Sequence, residues 1–528
     1  MRVATLVLLA APVLAGPAPA SAQEPAADHP GKPVYDQWCA GCHGVEGDGE
    51  GPSAAWMLPR PRDFTDALYQ IRTTPSGQLP TDADILRMID EGMPGTAMPG
   101  WESQLSQRQR NDLVNYLKTF SRFFAMEDAP PAIEIGRAPR MSEDAIAEGR
   151  EIYQRVECWK CHGDAGRGDG ASAPTQADDR DFPIRPVDLT ENWLFNGGGS
   201  LEEIYTRLRT GLDGTPMPSF SDLVDAGVIT DEQLWRLAGY VRSLSPERAP
   251  EARDVVRAGL ADALPSSVDD EAWEDAERYY IPLVGQIVIQ PRWFSPTVDG
   301  VWVQALHDGE TLAMRLTWHD PSRSPDPLWE PWRESLARFM EPTEGEQPAS
   351  HPPDAFTVQF PSVMPEGRDL PYFLGGDSRS PAYLWRWRSD RQGIEEAHSR
   401  GLGQAEALAP AEGAGLGGTA AFEEGAWTLV IHRRLESMEP ERRIGFPTGE
   451  PIPIAFFAQD GSSGEAGNRG SISSWYFLHL DRPVAASVYV VPIAATLLTA
   501  LLGVGVVAQA RRAPRSAEQD NTTLLEGA

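Results

Sequence analysis

The pentapeptide Cys39-Ala40-Gly41-Cys42-His43 recurs further along the chain as Cys158-Trp159-Lys160-Cys161-His162. In a C-x-x-C-H pattern the two thiols can form thioether bonds to a haem while the histidine binds its iron, so this spacing is typical of c-type haem attachment. The sequence therefore predicts two covalently bound haem c groups. The candidate attachment residues are Cys39, Cys42, Cys158 and Cys161, and the candidate axial ligands are His43 and His162.

A methionine follows each pentapeptide at the same distance along the chain, in the pairs Met98-Pro99 and Met217-Pro218. Both pairs lie in a Thr-x-Met-Pro context. His/Met ligation fills both axial positions of the iron and raises its reduction potential, which suits electron transfer. We therefore predict Met98 and Met217 as the second axial ligands. Met57 and Met93 compete in the first half, but only Met98 keeps the repeat spacing.

The cysteine count argues against other uses of the two motifs. A structural zinc site needs four clustered ligands, and a redox dithiol needs a reactive thiolate. The chain has only four cysteines, and all of them belong to the two pentapeptides. No cysteine is therefore left over for a disulfide framework.

Both ends of the chain carry targeting patterns. Residues 1–22 have the basic start, apolar stretch and small-residue end of a secretory signal peptide. Residues 484–509 are apolar, carry no charge and are long enough to cross a bilayer, so they predict a transmembrane helix. Arginines follow this span and predict a cytoplasmic tail over 510–528. We therefore expect a protein of the cell membrane with its bulk in the periplasm.

The net charge of −31 comes from 77 acidic and 46 basic residues. Such a surface repels nucleic acid, so no nucleic-acid partner is expected. It would steer a basic redox partner toward the protein. Adaptation to high salt accounts for the same composition equally well, and the sequence leaves the two explanations open.

Residues 32–124 and 142–246 have the organisation of small haem domains. In each, an N-terminal helix would carry C-x-x-C-H, a loop would carry the methionine, and a C-terminal helix would pack across the first. The C-terminal helices are predicted over Arg108 to Phe120 and Asp231 to Leu244. Both segments resemble class I cytochromes c, which implies all-α domains.

Each half also contains an Arg-Pro pair between its cysteine motif and its methionine. The segments are Arg60-Pro61-Arg62-Asp63-Phe64-Thr65 and Arg185-Pro186-Val187-Asp188-Leu189-Thr190. A guanidinium group can bind a carboxylate through two hydrogen bonds. Arg60 and Arg185 are therefore candidates for contacts with haem propionates, although an arginine in a solvated loop is an alternative reading.

Residues 253–482 change to short runs rich in β-branched and aromatic residues, bounded by turn residues. This pattern predicts an all-β sandwich. The segment from Gly401 to Gly425 is rich in Gly, Ala and Glu and is predicted to be a long loop. The clearest predicted strands are Val301 to Leu306, Leu312 to Trp318, Ala355 to Phe360, Ala382 to Trp387, Trp427 to His432 and Ile452 to Ala458.

This third region resembles the haem-binding gamma subunit of the ethylbenzene dehydrogenase and dimethyl sulfide dehydrogenase group. The resemblance rests on segments such as Val303 to Glu310, Arg315 to Pro321, Pro371 to Asp377, Trp385 to Asp390 and Asp460 to Leu480. It implies a periplasmic molybdenum oxidoreductase as partner. It also implies a haem b held between a Met and a Lys.

The haem b ligands of that group do not carry over to this chain. Leu374 stands where the methionine is expected, and no lysine follows Lys160. Substitute ligands would be Met364, His398 and His432. Each of the three also has an ordinary structural role as an alternative.

Together these features predict a membrane-anchored periplasmic dihaem cytochrome that passes electrons between an oxidoreductase and the respiratory chain, and that is not itself an enzyme. Two other classes stay open. A dihaem peroxidase would need one haem iron with an open axial position. A ligand-binding sandwich with haem domains attached would be favoured if aromatic side chains such as Trp385 and Trp387 were exposed.

Overall fold

The protein is described here by a computed structural model. The structure describes residues 28–339, 351–365, 370–409, 415–437, 439–482 and 487–512. The predicted signal peptide, 1–22, lies outside these residues, as does most of the predicted tail. The chain divides into two compact units between Leu480 and Asp481.

The first part of the larger unit is helical and repeats one arrangement twice. In the first half the helices are α1 (Lys32–Trp38), α2 (Ala40–His43), α3 (Asp82–Glu91), α4 (Gln107–Lys118) and α5 (Phe123–Met126). In the second half they are α6 (Glu143–Arg155), α7 (Trp159–His162), α8 (Leu201–Thr210), α9 (Ser221–Asp225) and α10 (Asp231–Ser243). The described residues of both halves thus fit the helical domains that the sequence predicts.

Capping boxes start the longer helices that follow each cysteine motif. Thr81, Ser106, Ser200 and Thr230 each accept a hydrogen bond from the backbone N–H three residues on, and the side chain at that position reaches back to the cap. This reciprocal pairing satisfies backbone groups that a helix start would otherwise leave free. The local sequence therefore determines where these four helices begin.

Helices α1 and α4 of the first half, and helices α6 and α10 of the second half, approach each other closely at a glycine. A Cβ on Gly31, just before α1, would collide with the carbonyl of Asp112 in α4. A Cβ on Gly149, within α6, would collide with the carbonyl of Arg236 in α10. Only glycine permits so close an approach of two backbones. The predicted packing of the C-terminal helix across the N-terminal one is present in both halves.

The rest of the larger unit is a sheet domain built on one long, folded sheet. Its strand order is β10-β11-β5-β4-β1-β14-β12-β6-β7-β8-β9, with β2 beside β4 and β13 beside β12 and β3. The strands are β1 (Val255–Leu260), β2 (Tyr279–Pro282), β3 (Val284–Gly285), β4 (Gly300–His307), β5 (Thr311–His319), β6 (Ala355–Pro361), β7 (Ala382–Arg388), β8 (Ile394–Ser399), β9 (Ala405–Ala407), β10 (Gly417–Glu423), β11 (Ala426–Arg434), β12 (Pro451–Gln459), β13 (Ser471–Ile472) and β14 (Tyr476–Leu480).

Strand β12 turns the sheet back on itself. Residues 451–454 of β12 pair with β14, whereas residues 455–459 pair with β6. The two halves of the sheet then face each other, and aromatic rings interlock between them. Trp318 of β5 lies 4.5 Å from Phe356 of β6, and Trp387 of β7 lies 4.7 Å from Trp427 of β11, measured between ring centroids. These contacts fill the core of the sheet domain.

Two predictions for this region are wrong. The region is not all-β, because helix α11 (Glu330–Phe339) follows β5 and packs Trp332 and Leu336 against Trp293. The segment from Gly401 to Gly425 is not one long loop, because it contains β9 and β10. The small residues of this segment show no apolar alternation from which β10 could have been predicted. Among the described strands, β10 lies at the edge of the sheet and pairs with β11 alone. The sheet is also mixed, since β1 runs parallel to both of its neighbours.

The six strands predicted from the sequence are all present, within two residues of the expected ends. Helix α12 (Ser487–Arg512) belongs to the second compact unit and overlaps the predicted span 484–509. Within the described residues it is the helix long and apolar enough to cross a membrane, with a mean hydropathy of 2.3.

Candidate haem centres

The first cysteine motif opens onto a cavity of about 400 Å³. Cys39, Cys42 and His43 lie in its wall. Cys42 and His43 belong to the single turn α2, and Cys39 is the residue at its start. Most of the surface inside is apolar, and a volume of this size is within the range of cofactor pockets. Its other lining residues include Trp38, Phe64, Tyr69, Ile85, Ile89, Trp101, Leu113 and Leu117.

The ring of His43 is held in one orientation. Its Nδ1 lies 2.9 Å from the backbone carbonyl of Arg62, and the Phe64 ring stacks on it at 4.6 Å. A carbonyl can only accept, so Nδ1 carries the proton and Nε2 keeps a free lone pair. Burial lowers the pKa of His43, which favours the neutral form of the imidazole that binds a metal.

The second motif repeats this geometry. Nδ1 of His162 lies 3.2 Å from the backbone carbonyl of Val187, which follows the second Arg-Pro pair as Arg62 follows the first. Burial again lowers the pKa of His162. Tyr35 and Tyr153 each donate a hydrogen bond of 2.6 Å to the carbonyl of the glycine after the motif, Gly44 and Gly163.

The cysteines are poorly suited to act as thiolates. Burial raises the pKa of Cys39 and of Cys158 to about 12. A zinc site or a reactive dithiol needs the deprotonated sulfur. The four cysteines are free in this structure. Among the described residues, the cluster of three possible metal ligands contains no cysteine, which argues against a structural zinc site at these thiols.

The methionine loops are also the same in both halves. The amide of Met98 donates to Thr96 Oγ1 at 3.2 Å, and that hydroxyl donates to the carbonyl of Met93 at 2.7 Å. Met217 and Thr215 repeat these two bonds, with Leu212 as the final acceptor. The shared Thr-x-Met-Pro sequence therefore encodes one loop conformation that presents each methionine in the same way.

Met57 and Met93 also line the first cavity beside Met98. Their counterparts in the repeat are different residues. Leu212 accepts the hydrogen bond that Met93 accepts, and Gln176 follows the short turn Ala173–Thr175 as Met57 follows Ala54–Trp56. Only Met98 thus has a methionine in the equivalent place.

Residues of the second half close the first cavity, which the sequence did not predict. Arg180, Ile184 and Asn196 are part of its lining, together with Asp178, Asp179 and Pro183. Arg180 is fixed there by an ion pair with Glu50 and a hydrogen bond of 3.3 Å to the Pro61 carbonyl. These residues lie in irregular segments inside the second half, which carry no periodic signal. Only the packing of the two halves therefore shows that they form this wall.

The two arginines predicted to contact propionates lie in different surroundings. Arg60 lines the first cavity, donates to the Ala54 carbonyl and lies over the Phe182 ring. Arg185 instead contacts the sheet domain, where it donates to the Pro296 carbonyl at 3.4 Å and lies 5.4 Å from the Trp332 ring. Of these two arginines, Arg60 is thus the one that lines the cavity beside the first cysteine motif.

Two of the three substitute haem b ligands in the sheet domain, Met364 and His432, are engaged elsewhere. His432 Nε2 lies 2.7 Å from the Pro265 carbonyl, so this nitrogen carries a proton and offers no lone pair. Met364 packs against the main core of the sheet domain, and Leu374 is fully buried. His398 lies on β8, and burial lowers its pKa.

The aromatic residues that would favour a ligand-binding sandwich are not exposed. Trp385 and Trp387 are 1% and 6% exposed and belong to the core between the two halves of the sheet. Trp385 packs against Phe360 with 4.6 Å between ring centroids. These residues therefore stabilise the fold and do not form a recognition surface.

Comparison with known proteins agrees with this geometry. Residues 26–117 and 144–241 each match the family described as cytochrome c oxidase, cbb3-type, subunit III. Residues 270–409 match the ethylbenzene dehydrogenase family. The chain joins cbb3-type cytochrome c domains to an ethylbenzene dehydrogenase domain. The predicted resemblance to the ethylbenzene and dimethyl sulfide dehydrogenase group is thereby confirmed.

Individual relatives are similar to less than half of this chain. A protein of Haloferax mediterranei described as a respiratory nitrate reductase haem subunit is 27% identical over 42% of this chain and 70% of its own length. The dimethylsulfide dehydrogenase gamma subunit of Rhodovulum sulfidophilum is 25% identical over 47% of this chain and 87% of its own. A chain of the reducing HAO-like protein complex of Kuenenia stuttgartiensis is 47% identical, with a TM-score of 0.39, over 41% of this chain and 96% of its own.

Proposed function

We propose that this protein is a membrane-anchored dihaem cytochrome c that carries electrons between a periplasmic oxidoreductase and the respiratory chain. Cys39 and Cys42 would hold the first haem, and Cys158 and Cys161 the second. The axial ligands would be His43 with Met98, and His162 with Met217. A haem held in this way supplies one-electron transfer with little change at the iron.

The observation that carries the proposal is the repeated orientation of the two histidines. In each half Nδ1 is bonded to a backbone carbonyl, and Nε2 is left with its lone pair. A fixed tautomer and a fixed ring are what a metal-binding histidine requires. The matching loops of Met98 and Met217 would supply the second axial ligand in each half.

The contact between the halves supports a relay between the two haems. Arg72 and Asp213 pair at 2.7 Å, and Arg87 and Glu203 pair at 2.5 Å, each time across the interface. Arg180 of the second half also closes the first cavity. Such contacts hold two redox centres at a constant separation, and outer-sphere transfer depends on that separation.

The location is part of the proposal. Helix α12 would anchor the protein in the membrane, and the cluster of arginines at and after its end would stay in the cytoplasm. The relatives' names support an oxidoreductase as partner, which we take to be a molybdenum enzyme. The acidic chain would attract a basic surface on either partner.

A haem count tests the cofactor assignment. We would purify the full chain in detergent, extract it with acid–acetone to remove b haem, and record pyridine haemochrome spectra. Two haem c per chain are expected. Replacing Cys39 and Cys42 by Ala should remove one of them, and replacing Cys158 and Cys161 should remove the other. Fewer than two haem c in the wild type would contradict the proposal.

Two further measurements separate this function from its alternatives. Added peroxide should not bind to the haem iron and should not be consumed catalytically, whereas a dihaem peroxidase would turn it over.

Fractionation should find the chain in the membrane. Protease added to spheroplasts should digest its main body from outside. Protection of the body from external protease would contradict the proposed orientation.

A further inference from the structure

Three carboxylates from distant parts of the sheet domain meet at a point that the haem function does not use. Asp320 follows β5, Asp354 precedes β6 and Asp460 follows β12. All three are fully buried. One oxygen of each lies within 4.8 Å of the corresponding oxygens of the other two.

Neutral groups hold these side chains in place. Asp354 accepts hydrogen bonds from the amides of Ser324 and Gly461 and from the indole of Trp427, at 2.7, 2.9 and 3.1 Å. Asp460 accepts from the amide of Ser462 and the hydroxyls of Ser462 and Ser463. Within the described part of the chain, every hydrogen bond these two accept thus comes from an uncharged donor.

Asp320 points to a missing positive charge. Its Oδ1 accepts a hydrogen bond from the amide of Ser322 at 3.1 Å, whereas the buried Oδ2 accepts none from any residue that the structure describes. Burial and the charges of Asp354 and Asp460 raise its pKa well above the usual range. A buried carboxylate with a free oxygen is costly unless a cation or a proton compensates it.

We propose that Asp320, Asp354 and Asp460 bind a calcium ion. All three offer hard oxygen ligands, which calcium prefers, and they come from three separate segments of the chain. Calcium–oxygen distances of about 2.3–2.6 Å place ligands on opposite sides of the ion about 5 Å apart. The three oxygens lie within 4.8 Å of one another, so a single ion can contact all of them. Magnesium usually keeps several of its waters and is seldom held by protein ligands alone, so a fully buried set of carboxylates suits calcium better.

The position of the site suggests what the ion does. Ser463, which donates to Asp460, also accepts the indole N–H of Trp332 at 3.2 Å. Trp332 packs in one cluster with Trp293 and with Ala173 of the second cytochrome half. Calcium would therefore stiffen the three loops that support the contact between the sheet domain and the second haem domain.

Metal analysis of the full chain tests the site directly. Protein purified in detergent without chelator should contain about one calcium per chain by mass spectrometry. Thermal unfolding of the chelated wild type should shift upward by about 5–10 °C in saturating calcium, the size expected when a ligand near 100 times its Kd stabilises a domain of this length. Magnesium at the same concentration should give a smaller shift.

Asp320→Asn is the matched variant, because it keeps the shape of the side chain and removes its charge. It should lose the bound calcium and the calcium-dependent shift. Asp262→Asn, at an exposed position, should keep both. Far-UV circular dichroism reports whether the sheet domain of each variant has folded. If Asp320→Asn does not fold, the calcium titration of the wild type still tests the site.

The proposal is overturned if the wild type holds no calcium and unfolds at the same temperature with calcium and with chelator. In that case the three carboxylates share protons, and Asp320→Asn would match or exceed the wild type in stability. An equal shift with magnesium would overturn the assignment to calcium.

Discussion

Arg72 of the first cytochrome half forms a buried ion pair with Asp213 of the second half, with 2.7 Å between Nη2 and Oδ2. The arginine side chain is fully buried and also donates to the carbonyls of Tyr69 and Thr210. Asp213 in turn accepts from Ser76 and from the amide of Gly77. The Asp213 carboxylate thus binds three residues of the first half, Arg72, Ser76 and Gly77.

Replacing Asp213 by Asn should weaken this connection strongly. Removing one partner of a buried pair leaves the other charge uncompensated, at a cost of about 3 kcal/mol. Thermal unfolding and limited proteolysis between the halves would measure the loss. Asp112→Asn, which removes an exposed pair with Arg108, should cost less than about 1 kcal/mol. Equal effects of the two variants would contradict the proposed role of Asp213.

Met98 and Met93 can be separated by two substitutions to leucine. Met98→Leu should change the absorption spectrum and lower the potential of one haem, because the thioether ligand is lost. Met93→Leu should change neither, since Leu212 fills the equivalent place in the second half. Redox titration followed by absorption would measure both. A spectrum altered only in Met93→Leu would reverse the ligand assignment.

The glycine after the first cysteine motif should not tolerate a side chain. Gly44 has a φ of 79°, and a Cβ there would collide with the Asp48 carboxylate. Gly44→Ala should therefore lower the haem content and the unfolding temperature. Gly41→Ala is the control within the same motif, because a Cβ at Gly41 meets nothing within 4 Å and the second motif has Lys160 there. Haem per chain after expression would show the difference.

A pair of buried carboxylates should make stability depend on pH. Burial and the neighbouring Asp299 raise the pKa of Glu191 well above its usual range. The folded protein therefore binds this proton more tightly than the unfolded chain. The stability that Glu191 contributes is fully present below the ordinary pKa of glutamate and is lost as the pH rises from there through the raised pKa. The unfolding temperature should decrease between about pH 5 and about pH 8.

Glu191→Gln should raise the unfolding temperature at the upper end of that range and flatten its pH dependence, because the amide carries no charge to bury. Glu247→Gln, at an exposed position, should follow the wild type. Circular dichroism melts across the pH series would compare the three proteins. A Glu191→Gln profile as steep as that of the wild type would refute the assignment.

Arg60 and Arg185 should affect their haems unequally. Arg60→Gln removes a positive charge from the wall of the first cavity and should lower one midpoint potential by roughly 40 mV, the equivalent of about 1 kcal/mol. Arg185→Gln should change the potentials less, because Arg185 faces Pro296 and Trp332. Spectroelectrochemical titration would resolve the two haems. Equal shifts would mean that both arginines serve propionates.

Much of this molecule could be predicted from short stretches of sequence. The cysteine motifs, the Thr-x-Met-Pro loops, the long capped helices and the six strongest strands depend on residues that are neighbours along the chain. Their backbone geometry follows from local hydrogen bonds and from side-chain periodicity. The prediction missed β10, whose Gly- and Ala-rich sequence has no apolar alternation, and α11, a short helix within a region of strands.

The sequence by itself determined which residues of each cytochrome half are the predicted haem ligands, because covalent attachment and axial ligation would need fixed residue types at fixed spacings. Only the tertiary structure decided how the parts combine. It closed the first cavity with Arg180, turned Arg185 toward the sheet domain and gathered Asp320, Asp354 and Asp460 from three separate loops. These arrangements join residues far apart in the chain, and their energies come from packing and desolvation that no local pattern records.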